Sequence, residues 1–231
     1  MTTLVYNSSG VLAPLEYYRY DAINHIIKHK FSERCNYLEI GVLDPTACFD
    51  RINADKKTSV DPGLEFASNP ASYKMTSDDF FDAVAAHKTE FPPNHKWDII
   101  FIDGLHLADQ VDRDIANSMK HISDTGFIVL HDCSPATWEC AHSDHEAFLL
   151  RPQTWNGTTW KAFYKFRTEH PHFAYTVDTD QGIGIINLGK SAECINHSNP
   201  FFEYGKMKKD RKHYLNLISV KEFTDNPEKY L

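Results

Sequence analysis

The sequence contains no apolar run that approaches the roughly 20 residues a membrane-spanning helix needs. Cationic charge is also short: 24 Lys and Arg stand against 32 Asp and Glu, a net charge of −8. That balance excludes a general nucleic-acid binder, which needs a cationic face to displace counterions from phosphates. The five cysteines are odd in number and lack framework spacing, as expected for reduced thiols rather than disulfides. The first residues carry no basic leader followed by an apolar core, so the expected location is cytoplasmic. Internal repeats, low-complexity tracts and a convincing linker are absent, and 42% hydrophobic residues suffice for a core. One α/β domain over residues 1–231 is therefore expected.

What is present alternates. Residues 14–30 have helical spacing at Tyr17, Ile23, Ile26 and Ile27, and make residues 1–33 an expected helical extension. "CNYLEIGV" (35–42) and "KKTSVDPG" (56–63) read as strands, with a shorter candidate in "SYKM" (72–75). Residues 76–88 open with Thr76 and Asp79 in a capping-box arrangement and form a helix. "KWDIIFID" (96–103) is the strongest strand, 106–122 an amphipathic helix, and "TGFIVLHD" (125–132) another strand. Strands that are apolar throughout, between amphipathic helices, imply a parallel sheet covered on both faces. Beyond it lie a long loop at 133–157, placed over the site, a helix at 158–169, a hairpin at 172–188 and a helical tail within 199–231.

Ligands in such sheets bind beyond the carboxyl ends of the strands, where Gly41, Asp61, Asp103, His106, His131 and Asp132 fall. A glycine after the first strand and an acid about 20 residues later, after the second, suit a ribose-bearing ligand. A dinucleotide wants G-x-G-x-x-G, whereas "GVLDPTACFD" has one glycine and sets Asp44 against a diphosphate. S-adenosylmethionine, a sulfonium with an amino group, tolerates Glu39 and Asp44. Asp103, His131 and Asp132 on adjacent strand ends suit a divalent cation such as magnesium, and His106 a general base near neutral pH. Helix capping and turn formation remain ordinary alternatives for each residue taken singly.

"YLEIGV", "SVDPG", "MTSDDFF", "WDIIFIDGLHLADQVDRDIANSMKHISDTGFIVLHDCSP" and "WNGTTWKAFYKFR" together resemble the class I S-adenosylmethionine-dependent methyltransferases. The branch resembled is the methyltransferase domain 24 group, found with bacterial sugar and polysaccharide pathways. The resemblance implies a Rossmann-like, doubly wound, seven-stranded and mostly parallel sheet with an antiparallel C-terminal hairpin. It implies donor contacts at Glu39, Gly41 and Val42, at the ribose acid Asp61, at Thr76, Ser77 and Asp78 beside adenine, and at Asp103. His106 falls at the general-base position, and Asp103, His131 and Asp132 at the metal-binding positions, with Mg2+ or another divalent cation as their ion. His131 stands where that family has a carboxylate.

The expected activity is O-methylation of a sugar, a sugar nucleotide or another small-molecule or glycan hydroxyl, in a monomer or homo-oligomer. A non-catalytic donor-binding protein of an assembly complex and an NAD-dependent sugar-modifying enzyme are the alternatives. Trp138, Trp155 and Trp160 are candidates for an acceptor wall. His131, Cys133, Cys140, His142 and His145 raise a zinc reading whose spacing matches no common zinc module. "KMKKDRKH" (206–213) reads as a solvated helix face with an affinity for anions.

Overall fold

The computed structural model describes residues 4–6, 12–32, 34–64, 68–144 and 155–231. The N-terminal segment is not all helical: β1 (Leu4–Tyr6) and β2 (Leu12–Pro14) form an antiparallel ribbon. The helix of this segment, α1, runs over Arg19–Lys30, its start fixed by the Tyr18 amide donating to Asp21 Oδ2 at 2.9 Å.

The main sheet has seven strands in the order β4-β3-β5-β6-β8-β7-β9. β3 (Asn36–Ile40), β4 (Lys56–Val60), β5 (Trp97–Ile102) and β6 (Ile122–Leu130) are mutually parallel. β7 (His172–Val177) and β8 (Ile183–Ser191) form the expected hairpin, and β8 is antiparallel to both of its neighbours. "SYKM" makes only a single bridge, Tyr73 to Val60. The seventh strand is instead β9 (Leu217–Ile218), parallel to β7.

Side chains alternate between faces along a strand, so each continuous apolar run feeds two cores. Leu38, Ile100 and Ile128 pack on one side with Phe80, Trp97, Trp160 and Phe163. Phe80 comes from α2 (Ser77–Ala85), α3 (Ala108–His121) adds Val111 and Ile115, and Trp160 and Phe163 belong to α4 (Thr159–Glu169). Tyr37, Ile99, Phe101 and Phe127 pack on the other side with Ile23, Ile26 and Ile27 of α1 and with Phe223 and Tyr230. The tail is therefore a structural layer, and it is not one helix. It breaks into α5 (Tyr204–Lys209), α6 (Arg211–Leu215), α7 (Val220–Asp225) and α8 (Pro227–Tyr230). Asn216 ends α6 in the left-handed region, and the Ser219 side chain caps α7. Among the described residues no helix is long and apolar enough to cross a membrane.

Register places the site. Ile40 pairs with Ile102, and Ile102 with Leu130, so three neighbouring strands end level. Their next residues are Gly41, Asp103 and His131. The ladder continues through them: Asp103 N–H donates to Ile40 O at 2.8 Å, and His131 N–H to Ile102 O at 3.1 Å.

Candidate active site

A cavity of about 540 Å³ opens over these strand ends, a size suited to a small-molecule ligand. Gly41 forms its floor at φ +84°. A Cβ there would stand 2.3 Å from Asp103 O, so the two strand ends close together only around a glycine. Asp61 ties the loop after β3: its Oδ2 accepts from the amides of Val42 and Leu43, both at 2.9 Å. Glu39 lines the cavity yet is almost wholly buried, accepting a hydrogen bond from Tyr37 Oη. Burial pushes its carboxyl up to about 8, against the opposing bond from Tyr37. It is thus a neutral acid that a bound cation would ionise.

On the other side three carboxylates meet three cationic or protonatable groups. Asp103 Oδ2 accepts from Arg19 Nη1 at 2.6 Å, while its Oδ1 faces His131 Nδ1 at 3.2 Å and His106 Nε2 at 3.4 Å. Asp132 Oδ2 faces His131 Nδ1 at 2.8 Å and His106 Nε2 at 3.2 Å, and its Oδ1 accepts from Asn156 Nδ2 at 2.9 Å. Asp180 holds Arg19 by both carboxylate oxygens and lies 3.4 Å from His131 Nε2. Burial opposes charge in Arg19, Asp103, His106, His131 and Asp180, and their partners overcome it. His131 and Arg19 hold Asp103 well below the usual carboxylate range, and Asp180 is likewise depressed. His131 is held well above the usual imidazole range by Asp103, Asp132 and Asp180.

His106 is placed by backbone. Thr158 N–H donates to His106 O at 2.7 Å, an approach that requires Gly157, where a Cβ would stand 2.0 Å from the same oxygen. Its Nδ1 lies 3.0 Å from Trp155 O, and the Trp155 ring stacks on it at 5.2 Å. A carbonyl only accepts, so Nδ1 carries a proton and Nε2 is the nitrogen that titrates. Burial would lower the imidazole, but Asp132 and Asp103 raise it to about 9. The site can therefore hold one exchangeable proton at a fixed atom on the cavity wall.

Residues 20–133, just under half of the chain, match the family of the methyltransferase domain known as methyltransferase domain 24. That stretch is similar to a methyltransferase domain. Comparison with curated proteins finds no match. Among solved structures, an O-methyltransferase from Bacillus cereus with bound SAH is 12% identical, with a TM-score of 0.49 over 74% of this chain and 82% of that one. TomG, an O-methyltransferase from Streptomyces achromogenes involved in tomaymycin synthesis and bound to SAM, is 10% identical with a TM-score of 0.45, over 74% and 79%. MycE, of the mycinamycin biosynthetic pathway, bound to Mg, SAH and mycinamycin VI, is 13% identical with a TM-score of 0.44, over 77% of this chain. The chain spans about half of the length of MycE.

Within the matched stretch, Glu39, Gly41, Val42, Asp61, Thr76, Ser77, Asp103 and His106 all line one cavity, joined by His131 and Asp132. Asp78 does not: it faces outward and pairs with Arg113 at 3.0 Å. Thr76 Oγ1 is committed to the N-terminus of α2, and Ser77 Oγ donates to Asp114 Oδ1 at 2.6 Å. Of the tryptophans, Trp155 lines the cavity, Trp160 is wholly in the core and Trp138 is exposed. The 133–157 loop is described in part, and Trp155 and Asn156 from it reach the site.

Asp103, His131 and Asp132 offer ligand atoms within 4.8 Å of one another, the sole such group among the described residues. The donor set does not fit a divalent ion while Arg19 is seated. Every oxygen of Asp103 and Asp132 already faces a donor, and His131 Nδ1 lies between two carboxylates, as a donor does. For the zinc reading, His145 lies outside the described residues, and Cys133, Cys140 and His142 join no such group. Arg211 of the basic tail is buried and donates to Ser134 Oγ and Pro135 O, pinning the loop after β6 instead of facing solvent. Three site residues were not anticipated. Asn156 lies in the stretch "WNGTTWKAFYKFR", but the resemblance assigns it no role there; Arg19 and Asp180 come from a helix start and a hairpin turn, where polar residues are ordinary. Only the tertiary fold brings them in.

Proposed function

We propose that this methyltransferase transfers a methyl group from S-adenosylmethionine to a hydroxyl of a sugar, sugar nucleotide or other small-molecule acceptor, with His106 as general base. The donor supplies an electrophilic methyl on a positively charged sulfur. Glu39 and Asp61 face its cationic and hydroxyl-bearing parts, and Gly41 lets the backbone approach it. His106 takes the acceptor proton at Nε2, and Asp103 and Asp132 stabilise the imidazolium that results. Trp155 covers the imidazole and limits water, so orientation and exclusion of solvent carry much of the acceleration. No step is assigned to a metal ion.

The observation that carries the reading is the fixed tautomer of His106: Nδ1 is bound to the Trp155 carbonyl, and Nε2 lies beside two carboxylates on the cavity wall. The test is calorimetry with S-adenosylhomocysteine, followed by a screen of sugar nucleotides, glycans and small alcohols for product formation. His106→Ala is expected to bind S-adenosylhomocysteine like wild type and to lose turnover by about 10²-fold or more. Turnover surviving in His106→Ala would remove the base, and NAD binding in place of S-adenosylhomocysteine would remove the donor.

A further inference from the structure

Arg19 enters the strand-end cluster from outside the sheet. It is the first residue of α1, and its backbone amide as well as its side chain are bound by Asp180. Thr179 Oγ1 donates to Tyr17 O at 2.6 Å, so the hairpin turn grips both sides of the helix start. The guanidinium is about three-quarters buried and bridges Asp180 to Asp103, the acid at the centre of the cluster. A planar fork of donors that is always charged makes such a bridge without a hydration shell to shed. Asp180, Gln181 and Gly182 all take positive φ in the tight turn that carries this carboxylate.

We propose that Arg19 is the resident cation of this site, occupying the charge position a divalent metal would take between Asp103 and the neighbouring carboxylates, so that the domain works without a metal. The proposal rests on the methyltransferase reading of the cavity and concerns its acceptor half. Electrostatics and geometry agree on it. A metal would have to break the 2.6 Å contact of Asp103 with Arg19 and set a second cation against a guanidinium that Asp180 still holds in place. It would also have to compete with His106 and His131 for the remaining carboxylate oxygens. Two cations sharing one carboxylate in a largely buried site repel each other, so exchange favours the seated arginine. Arg19 is thereby a positioning residue: it fixes Asp103, which in turn faces Nε2 of His106.

The test is a manganese titration followed by electron paramagnetic resonance on the full chain, with and without S-adenosylhomocysteine. Wild type is expected to bind no Mn2+ at the cluster. Arg19→Ala, which leaves Asp103 and Asp180 without their cation, is expected to gain one Mn2+ site that Asp103→Asn added to it abolishes. Arg19→Met keeps the stem and should gain the site as well, which covers the case in which the alanine variant does not fold. Arg19→Lys retains a charge and should remain silent. Stoichiometric Mn2+ binding by wild type that Asp103→Asn removes would overturn the proposal. So would silence of folded Arg19→Ala and Arg19→Met, because something other than Arg19 would then keep the metal out. Calorimetry with S-adenosylhomocysteine on the same samples separates the two claims. Its loss in wild type refutes the donor reading, whereas its retention beside a wild-type Mn2+ site refutes only the role of Arg19.

Discussion

At the scale of single residues, the chemistry turns on where one proton sits. With its imidazole raised to about 9, His106 holds that proton at neutral pH and is a base only after losing it. The dependence of kcat/KM on pH reports the free enzyme, so log kcat/KM is expected to climb with pH, bend near 9 and level off only above it. Asp132→Asn removes the largest of the charges that raise His106 and should move the midpoint toward the ordinary imidazole range near 6.5. An acid limb already centred near 6.5 in wild type, unmoved by Asp132→Asn, would show that His106 is not the titrating base. A bound sulfonium adds positive charge to the same cavity and favours the neutral imidazole. The kcat limb should therefore lie below the kcat/KM limb.

At the scale of elements, the level strand ends do the positioning, and Gly41 is the joint. An alanine there would need φ +84° and would put Cβ 2.3 Å from Asp103 O, in contact with backbone that cannot rotate away. Gly41→Ala is expected to weaken S-adenosylhomocysteine binding by about tenfold or more, with calorimetry as the readout, while far-ultraviolet circular dichroism keeps its form. Binding within error of wild type would mean that the cavity floor is softer than this packing implies. The elements also divide what could be read in the chain. β3, β5 and β6 were legible because both of their faces are apolar, and the residues just after them were legible as a site because parallel sheets put ligands there. The tail was not. Met207, Tyr214, Leu215 and Phe223 carry a helical rhythm, but the left-handed Asn216 and the capping Ser219 interrupt it, and β9 is held by pairing with β7 that no local pattern announces. Arg19 and Asp180 were hidden for a related reason: they are 161 residues apart and meet through topology alone.

At the scale of the whole molecule, the same buried groups link folding to pH, and the signs can be worked out. Asp103 and Asp180 are depressed in the fold, so their contribution is present above the ordinary carboxylate range and is lost only in acid. Glu39 is raised from 4.5 to about 8, so between those values the folded chain binds a proton that the unfolded chain lacks, and stability falls as pH rises. His106 is raised from 6.5 to about 9, and its contribution is complete below 6.5 and lost as pH climbs through 9. Together they predict that the ligand-free protein is most stable on the mildly acidic side of neutrality and loses several degrees of Tm between pH 6 and 9. Glu39→Gln should flatten the part of that slope between pH 6 and 8, because an amide has no proton to lose. S-adenosylmethionine, by placing a cation beside Glu39, favours the ionised carboxyl, so the rise in Tm on adding it should grow with pH. Differential scanning fluorimetry of wild type and Glu39→Gln, each with and without the donor across this range, measures all three. A Tm that is flat from pH 6 to 9 in ligand-free wild type would remove Glu39 and His106 as the linked groups, and a donor-induced rise that shrinks with pH would reverse the electrostatic assignment of the cavity.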